Sequence, residues 1–594
     1  MAITGSRLRR WVSMGLAFVF AIATSGCSLE SFRTEAAQVP ELVTSVLSGP
    51  ATFNYALSQE SPNIFTYTYE GLVTSNPITG DVEPALAESW EISEDKLKIE
   101  FLLRPNLKWS DGQPLTVDDV VFTYNDIYLN EDIPTDTRDA LRIGESGAFP
   151  NIRKLDDRRV EFTVPEPFAP FLQATGTPIL PAHILRETVE KKDSAGKPIF
   201  NSTWSVETAP EKIIVNGPYK LANYTIDQRV IYRRNPYYWR YQTSGASDGN
   251  IERIVWQIVE SADASLLQFR SGGLDSVGVT PEQFSLLKRE EEEGNFEILE
   301  GGPAPGTNFV FFNLNTGKRK GRPLVDPVKS KWFNNVAFRQ AVAYAVNRQK
   351  MLTNTFLGLG KTQNSPVSVQ SPFYLTPEEG LKTYDYDPEK AKQLLTGAGF
   401  QYKGNELYDS DGNRVQFVLK TNSGNATREA LGAQIKQDLA GIGMQVDFAP
   451  LAFGTLVDQL SSSLEWECVL LGLTGGTEPH FGKNVWDPDG GLHMFNQAAD
   501  GVEGRVVNDW EQEIGQLYIQ GARELDEAKR KEIYSKTQQI SQEQLPLIYL
   551  INPLSLNAVR NKFTGIQYSA LGGAFWNIHD ISAENPAERA EITE

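Results

Sequence analysis

Apolar and polar positions alternate most regularly between Leu97 and Leu103, where Leu97, Ile99, Phe101 and Leu103 are interleaved with Lys98, Glu100 and Leu102. A repeat of two is the period of a strand with one face against a core. From Arg104 to Leu115 the alternation stops, because Pro105, Asp111-Gly112 and Pro114 favour turns. Thr116 and Asp119 then have capping-box spacing, and Val117, Val120, Val121 and Tyr124 recur at helical intervals. The same reading predicts strands at Leu42–Leu47, Val230–Tyr232 and Ile254–Ile258, with a short helix from Ala264 to a stop at Gly272-Gly273.

The second half of the chain reads as strand and helix in alternation, the signature of an α/β layer. Its elements are a strand at Thr307–Asn315, a helix from Val336 and a helix from Pro388 behind the capping Asp387. Strands at Val415–Leu419 and Met444–Phe448 flank a helix at Thr427–Ala440, and a long helix spans Glu527–Glu543. Leu547-Ile548-Tyr549-Leu550 is expected to carry the chain back to the first half. Gly301-Gly302-Pro303-Ala304-Pro305-Gly306 sits at a change of composition and reads as an interlobe hinge. Asp409-Ser410-Asp411-Gly412-Asn413 lacks the glycine and glutamate positions of a calcium loop and reads as a hairpin turn.

At 594 residues the chain is too long for a single core. Its formal net charge of −20 includes Arg7, Arg9 and Arg10, so the chain beyond residue 26 stands near −23. Such a surface repels phosphate backbones and excludes nucleic acid as a partner. Only Cys27 and Cys468 are cysteines, which excludes a disulfide scaffold and a cysteine-rich zinc module. Three arginines, an apolar run from Trp11 to Ala23 and Thr24-Ser25-Gly26-Cys27 form an export signal over 1–26. Beyond it there is no run of eighteen apolar residues.

Several ordered motifs resemble family 5 of the bacterial extracellular solute-binding proteins, the peptide-, dipeptide- and nickel-binding components of ABC importers. They are Leu86-Ala87-Glu88-Ser89-Trp90, Lys108-Trp109-Ser110-Asp111-Gly112 through Phe122, Tyr69-Glu70-Gly71-Leu72-Val73, and Ile179-Leu180-Pro181-Ala182-His183-Ile184-Leu185. Asn216-Gly217-Pro218-Tyr219-Lys220-Leu221 follows the same family's pattern with a departure at Asn216, and Arg234-Asn235-Pro236-Tyr237-Tyr238-Trp239 matches it. The segment around Cys27 is similar to a lipobox, with Thr24 in place of the usual leucine. The resemblance implies a two-lobed α/β periplasmic-binding-protein fold of the type II-like, cluster C kind, working as a monomer on the extracytoplasmic face. The expected layout is a spacer over 27–39, lobe one over about 40–300 with an inserted subdomain over about 70–213, lobe two over 301–544, and a return to lobe one with a tail over 545–594. It further implies a lipid anchor on Cys27, a peptide or small solute as ligand, permease subunits as partners, and no cofactor.

No P-loop, G-x-S-x-G or H-E-x-x-H motif occurs, which favours binding over catalysis. An exported hydrolase and a ligand-sensing module are the competing readings. His480 and His493 lie near Asp487 and Asp489, but their spacing fits no standard ligand set, so no metal site is assigned. His183 reads as a packed structural histidine. In peptide-binding relatives an aspartate in the second lobe receives the α-ammonium group; here Leu470–Gly491 offers none before Asp487, and Glu478 is the candidate replacement. The candidate ligand contacts are Asn54, Tyr67, Asn308, Thr474, Gly475, Glu478 and Trp486, with Trp576 as a further pocket aromatic and Trp109 expected in the core.

Overall fold

The strand Glu41–Val46 runs parallel to Arg253–Ile258, which is followed in the same sheet by Arg229–Arg234 and Tyr219–Thr225. Leu42, Val230, Tyr232 and Ile254 are all fully buried, so the alternation along each strand brings distant stretches together on one face. The computed structural model describes residues 39–58, 64–135, 137–144, 146–244, 250–259 and 261–584. The export signal and Cys27 lie outside the described residues.

A second antiparallel sheet places Ala87–Ile92, Lys98–Leu103, Arg159–Thr163 and Asn151–Lys154 side by side. Ile99, Phe101 and Leu103 point inward, as their alternation predicts. Thr116 and Asp119 form the capping box of the helix Val117–Phe122. The helix then widens into a π turn over Thr123–Tyr128. Within it the Thr123 hydroxyl donates to the Asp119 carbonyl at 2.7 Å and accepts from the Leu180 N–H at 2.9 Å, so one side chain enters the helical ladder. Trp109 is fully buried in the core that joins both sheets.

The second lobe is built on the strand order Gln445–Leu451, Gln416–Asn422, Cys468–Leu473, Thr307–Phe312, Ile548–Tyr549. The first three run parallel, and the helix Ala426–Ala440 makes the crossover between Gln416–Asn422 and Gln445–Leu451. Phe312, Phe333, Phe338 and Phe417 pack with ring centroids 4.9 to 6.4 Å apart beneath the helix Val336–Ala345. Cys468 is a buried member of this core, and burial pushes its thiol well up. Asp409 in the Asp409–Asn413 turn accepts from the Asn413 N–H at 2.8 Å and from the Trp332 indole at 2.9 Å.

The return to the first lobe differs from the expected one. Ile548–Tyr549 stays in the second lobe, paired with Val310 and Phe309, and the next strand, Ile551–Arg560, makes the return. The run Leu545–Ile551 is fully apolar apart from Pro546 and Tyr549 and is buried throughout, which suits a core edge. Ile551–Arg560 pairs with Phe296–Pro303, and also with Ser276–Gly278 and Gly360–Thr362, over a small third core of Phe269, Leu274, Leu287, Phe296, Leu556 and Ala558. Two antiparallel passages therefore join the lobes side by side. Gly301 to Pro303 belong to the first of them, with Gly302 at φ +85° and a bulge between Glu300 and Pro303.

Candidate functional site

Two of the motifs that run through lobe one are bound to each other. Gly217 donates to the Thr68 carbonyl at 2.8 Å and Tyr219 to the Tyr67 carbonyl at 2.9 Å. Asn216 accepts from the Glu70 N–H at 2.8 Å and donates to the Glu70 carbonyl at 3.2 Å, so its amide acts as a clamp on the Tyr69-Glu70-Gly71 turn. A side chain on Gly71 would meet the Gly176 carbonyl at 2.4 Å, which explains why this turn carries glycine.

The clamped turn is one wall of a cavity of about 580 Å³ that also takes in Tyr67, Pro218, Arg240, Trp576 and His579. Within it Glu70 is bound by the Tyr238 hydroxyl and, at 2.8 Å, by the Trp239 indole. Burial pushes its carboxyl up, opposed by those two donors and by Arg240 and Arg104. Burial holds the His579 imidazole down, with Arg240 acting in the same sense and Asp580 against it.

Lobe two faces this space with the loop Thr474–Trp486, which lines a second cavity of about 310 Å³ together with Phe309, Val367, Tyr518 and Tyr549. A Cβ on Gly475 would lie 1.9 Å from the Pro305 carbonyl, so the loop is pressed against the passage between the lobes. Phe481 is half-exposed and forms part of the walls of both cavities. The lobes also touch directly. Ala169 donates to the Ala522 carbonyl at 2.7 Å, Arg523 pairs with Glu166 at 2.8 Å, and the Phe168 ring meets His480 edge-on at 5.0 Å.

Of the expected contacts, Tyr67 lines the lobe-one cavity, and Thr474, Gly475, Glu478 and Trp486 line the lobe-two cavity. Trp576 joins Tyr67. Asn54 is elsewhere: it is buried, caps the turn Tyr55–Leu57 and donates to the carbonyls of Phe200 and Thr203 at 3.3 and 3.2 Å. Asn308 lies outside both cavity walls, its amide 3.5 Å from the Ile551 carbonyl at the seam of the two passages. His183 is exposed at the start of the helix Ala182–Glu190 and bound to Asp111 at 2.8 Å, so it is a surface pair and not a core residue.

Glu478 has a partner the sequence does not announce. One terminal nitrogen of Arg530 lies 2.8 and 2.9 Å from its two carboxylate oxygens, and both side chains are buried. Arg530 also donates to the Gly521 carbonyl at 2.8 Å and lies over the Phe373 ring at 4.6 Å. The carboxylate proposed for an α-ammonium is therefore already neutralised. Arg530, Phe481 and Arg240 were not signalled by any motif; a lone arginine on a long helix and a loop phenylalanine carry no local pattern.

His493 has its ring nitrogens 3.0 Å from the Val485 carbonyl and 2.9 Å from Glu511, while His480 faces Phe168 in the other lobe. The two histidines thus serve separate contacts. Among the described residues no group of three or more His, Cys, Asp or Glu is arranged to hold a metal ion.

The model for the middle region of family 5 of the bacterial extracellular solute-binding proteins matches residues 81–500. A probable ABC transporter-binding protein of Deinococcus radiodurans is 30% identical over 530 residues, covering 84% of each chain. The dipeptide-binding protein of Escherichia coli is 27% identical over 85% of this chain and 87% of its own. The crystal structure of a periplasmic oligopeptide-binding protein from Thermotoga maritima matches the fold with a TM-score of 0.73 at 22% identity, over 93% of this chain and all of that one. The chain belongs to family 5 of the bacterial extracellular solute-binding proteins.

Proposed function

We propose that the chain captures a small solute, with oligopeptides as the first class to test, in the space between its lobes. It closes over the solute and hands it to the permease of an ABC importer. An acyl group on Cys27 would hold it at the extracytoplasmic face, where a single chain gives only marginal anchoring and a second makes it stable. The observation that carries the reading is Phe481, a lobe-two residue present in the walls of both facing cavities. A solute seated there touches both lobes and so favours the closed arrangement over the open one. The names of the relatives from Escherichia coli and Thermotoga maritima support peptides as the first class. The Arg530 pairing argues against Glu478 as the receptor of an α-ammonium group.

The test is a thermal-shift screen of the exported chain with di- to pentapeptides, nickel complexes, sugars and opines. A true ligand at a hundredfold excess over its Kd is expected to stabilise the folded chain by about 2.7 kcal/mol. Stabilisation by none of the peptides removes peptide as the ligand class, and stabilisation by no solute removes the transport reading.

A further inference from the structure

The lobe-two cavity has an unusual charge balance for its size. Aromatic rings form much of its wall, from Phe309, Phe481, Trp486, Tyr518 and Tyr549. Trp486 and Tyr518 lie nearly parallel, 12° apart, with centroids separated by 6.4 Å. Burial pushes the hydroxyls of Tyr518 and Tyr549 up, so both are neutral at physiological pH. Among the described residues that line it, Glu478 is the one acidic side chain and none is basic.

Glu478 is not available to a ligand. Its two oxygens are held by Arg530, and one of them also accepts the His480 N–H at 3.0 Å, closing the turn that starts at Pro479. Arg530 is itself held by the Gly521 carbonyl and by the face of Phe373. An ammonium entering the cavity would have to compete with a fixed guanidinium for this carboxylate, and a carboxylate would face Glu478 itself. Either ion would lose its water without gaining a counter-charge, the costly case for buried charge. A neutral ring loses little water and gains contacts with the aromatic wall, with the hydroxyls of Thr307 and Thr474 at hand for one polar substituent.

We infer that the lobe-two cavity receives an uncharged, ring-bearing end of the solute and discriminates against both an ammonium and a carboxylate at that position. The inference rests on reading the interlobe space as the solute site, and it specifies the chemistry of one end of the ligand. A peptide would have to present a side chain or a blocked terminus there, not its free amine.

The experiment uses three fluorine-labelled congeners of one size: 4-fluorophenylethanol, 4-fluorophenylethylammonium and 4-fluorophenylacetate. Their binding to the exported chain is followed by fluorine NMR at pH 7. The alcohol is expected to bind at least tenfold more tightly than either ion, and Thr474→Trp, which fills the cavity mouth, is expected to abolish that binding. Arg530→Met frees the carboxylate and is expected to shift the preference at least tenfold towards the ammonium; Glu478→Gln removes the acid from the wall and is expected to narrow the discrimination against the acetate. If either variant does not fold, the comparison in the parent chain decides alone. Equal binding of the ammonium or acetate in the parent chain overturns the inference, and so does the absence of any binding that Thr474→Trp removes. A chain that selects the alcohol but is stabilised by no solute in the wider screen loses the transport reading and keeps this one. A chain stabilised by peptides that does not discriminate among the congeners loses this inference alone.

Discussion

At the scale of single residues, the buried Glu478–Arg530 pair sets the energetics of the lobe-two wall. Both side chains are buried, so removing one partner leaves the other charge without its counter-ion, and Glu478→Gln and Arg530→Met are each expected to lower stability by about 3–5 kcal/mol. The double variant, which leaves no charge, is expected to regain most of that loss. Urea titrations of the three variants decide it, and single-variant losses below about 1 kcal/mol would show that water reaches the pair. His480 gives a pH dependence. Burial lowers its imidazole to about 4, below the ordinary 6.5. The unfolded chain therefore binds a proton first as pH falls, and the stability contributed by the neutral ring is complete above about 6.5 and is lost between about 6.5 and 4. The full effect is on the order of 3–4 kcal/mol. His480→Asn is expected to flatten part of this slope, with His579, shifted the same way, retaining its share; an unchanged slope would mean that the ring is solvated. The sequence shows the acid at 478 and the histidine at 480, but their partners Arg530 and Phe168 are respectively 52 positions later and in the other lobe. No periodicity links such residues, so the roles of these side chains were not legible.

At the scale of elements, legibility followed locality. The caps at Thr116 and Asp387 involve residues two or three positions away, and the helices begin where those residues predict. At the π turn Thr123–Tyr128 the Thr123 hydroxyl accepts from the Leu180 N–H, 57 positions away, and nothing near Thr123 signals that contact. The edge position of Ile548–Tyr549 depends on pairing with Thr307–Phe312, again far in sequence. Glycine shows the same contrast between local and distant causes. Gly71 and Gly475 are needed because backbone from Gly176 and Pro305 passes within 2.4 and 1.9 Å of where a Cβ would lie, whereas Gly476 has open space on that side. Gly71→Ala and Gly475→Ala are each expected to cost about 1–3 kcal/mol by overpacking, and Gly476→Ala to stay within about 0.5 kcal/mol. Thermal unfolding of the three variants separates the cases. A neutral Gly475→Ala would show that the loop yields to the passage instead of being braced by it.

At the scale of the whole molecule, the family motifs disclosed the architecture long before the site could be read. They lie in the turns, strands and helices of lobe one, whereas the walls of the two facing cavities are assembled from segments of both lobes that are far apart in sequence. The faces that meet on the far side of the cleft bear on the proposed closure. Glu166–Arg523 is a half-exposed pair at the rim, with side-chain exposures of 18% and 50%, beside the Ala169–Ala522 hydrogen bond and the Phe168–His480 contact. Exposed pairs of this kind contribute about 0.2–1 kcal/mol. Arg523→Gln removes the pair from the closed arrangement and takes nothing from the interior of either lobe. The open fraction of the unliganded chain is therefore expected to rise, and the apparent Kd for a solute to increase about two- to fivefold, since affinity scales with the closed fraction. The temperature of unfolding without ligand is expected to change little. Small-angle scattering gives a direct check: the radius of gyration of the unliganded Arg523→Gln chain should exceed that of the parent, and the two should coincide at saturating ligand. Equal radii without ligand, together with an unchanged Kd, would show that this rim makes no contribution to closure and that the passages Phe296–Phe312 and Ile548–Arg560 alone fix how the lobes sit.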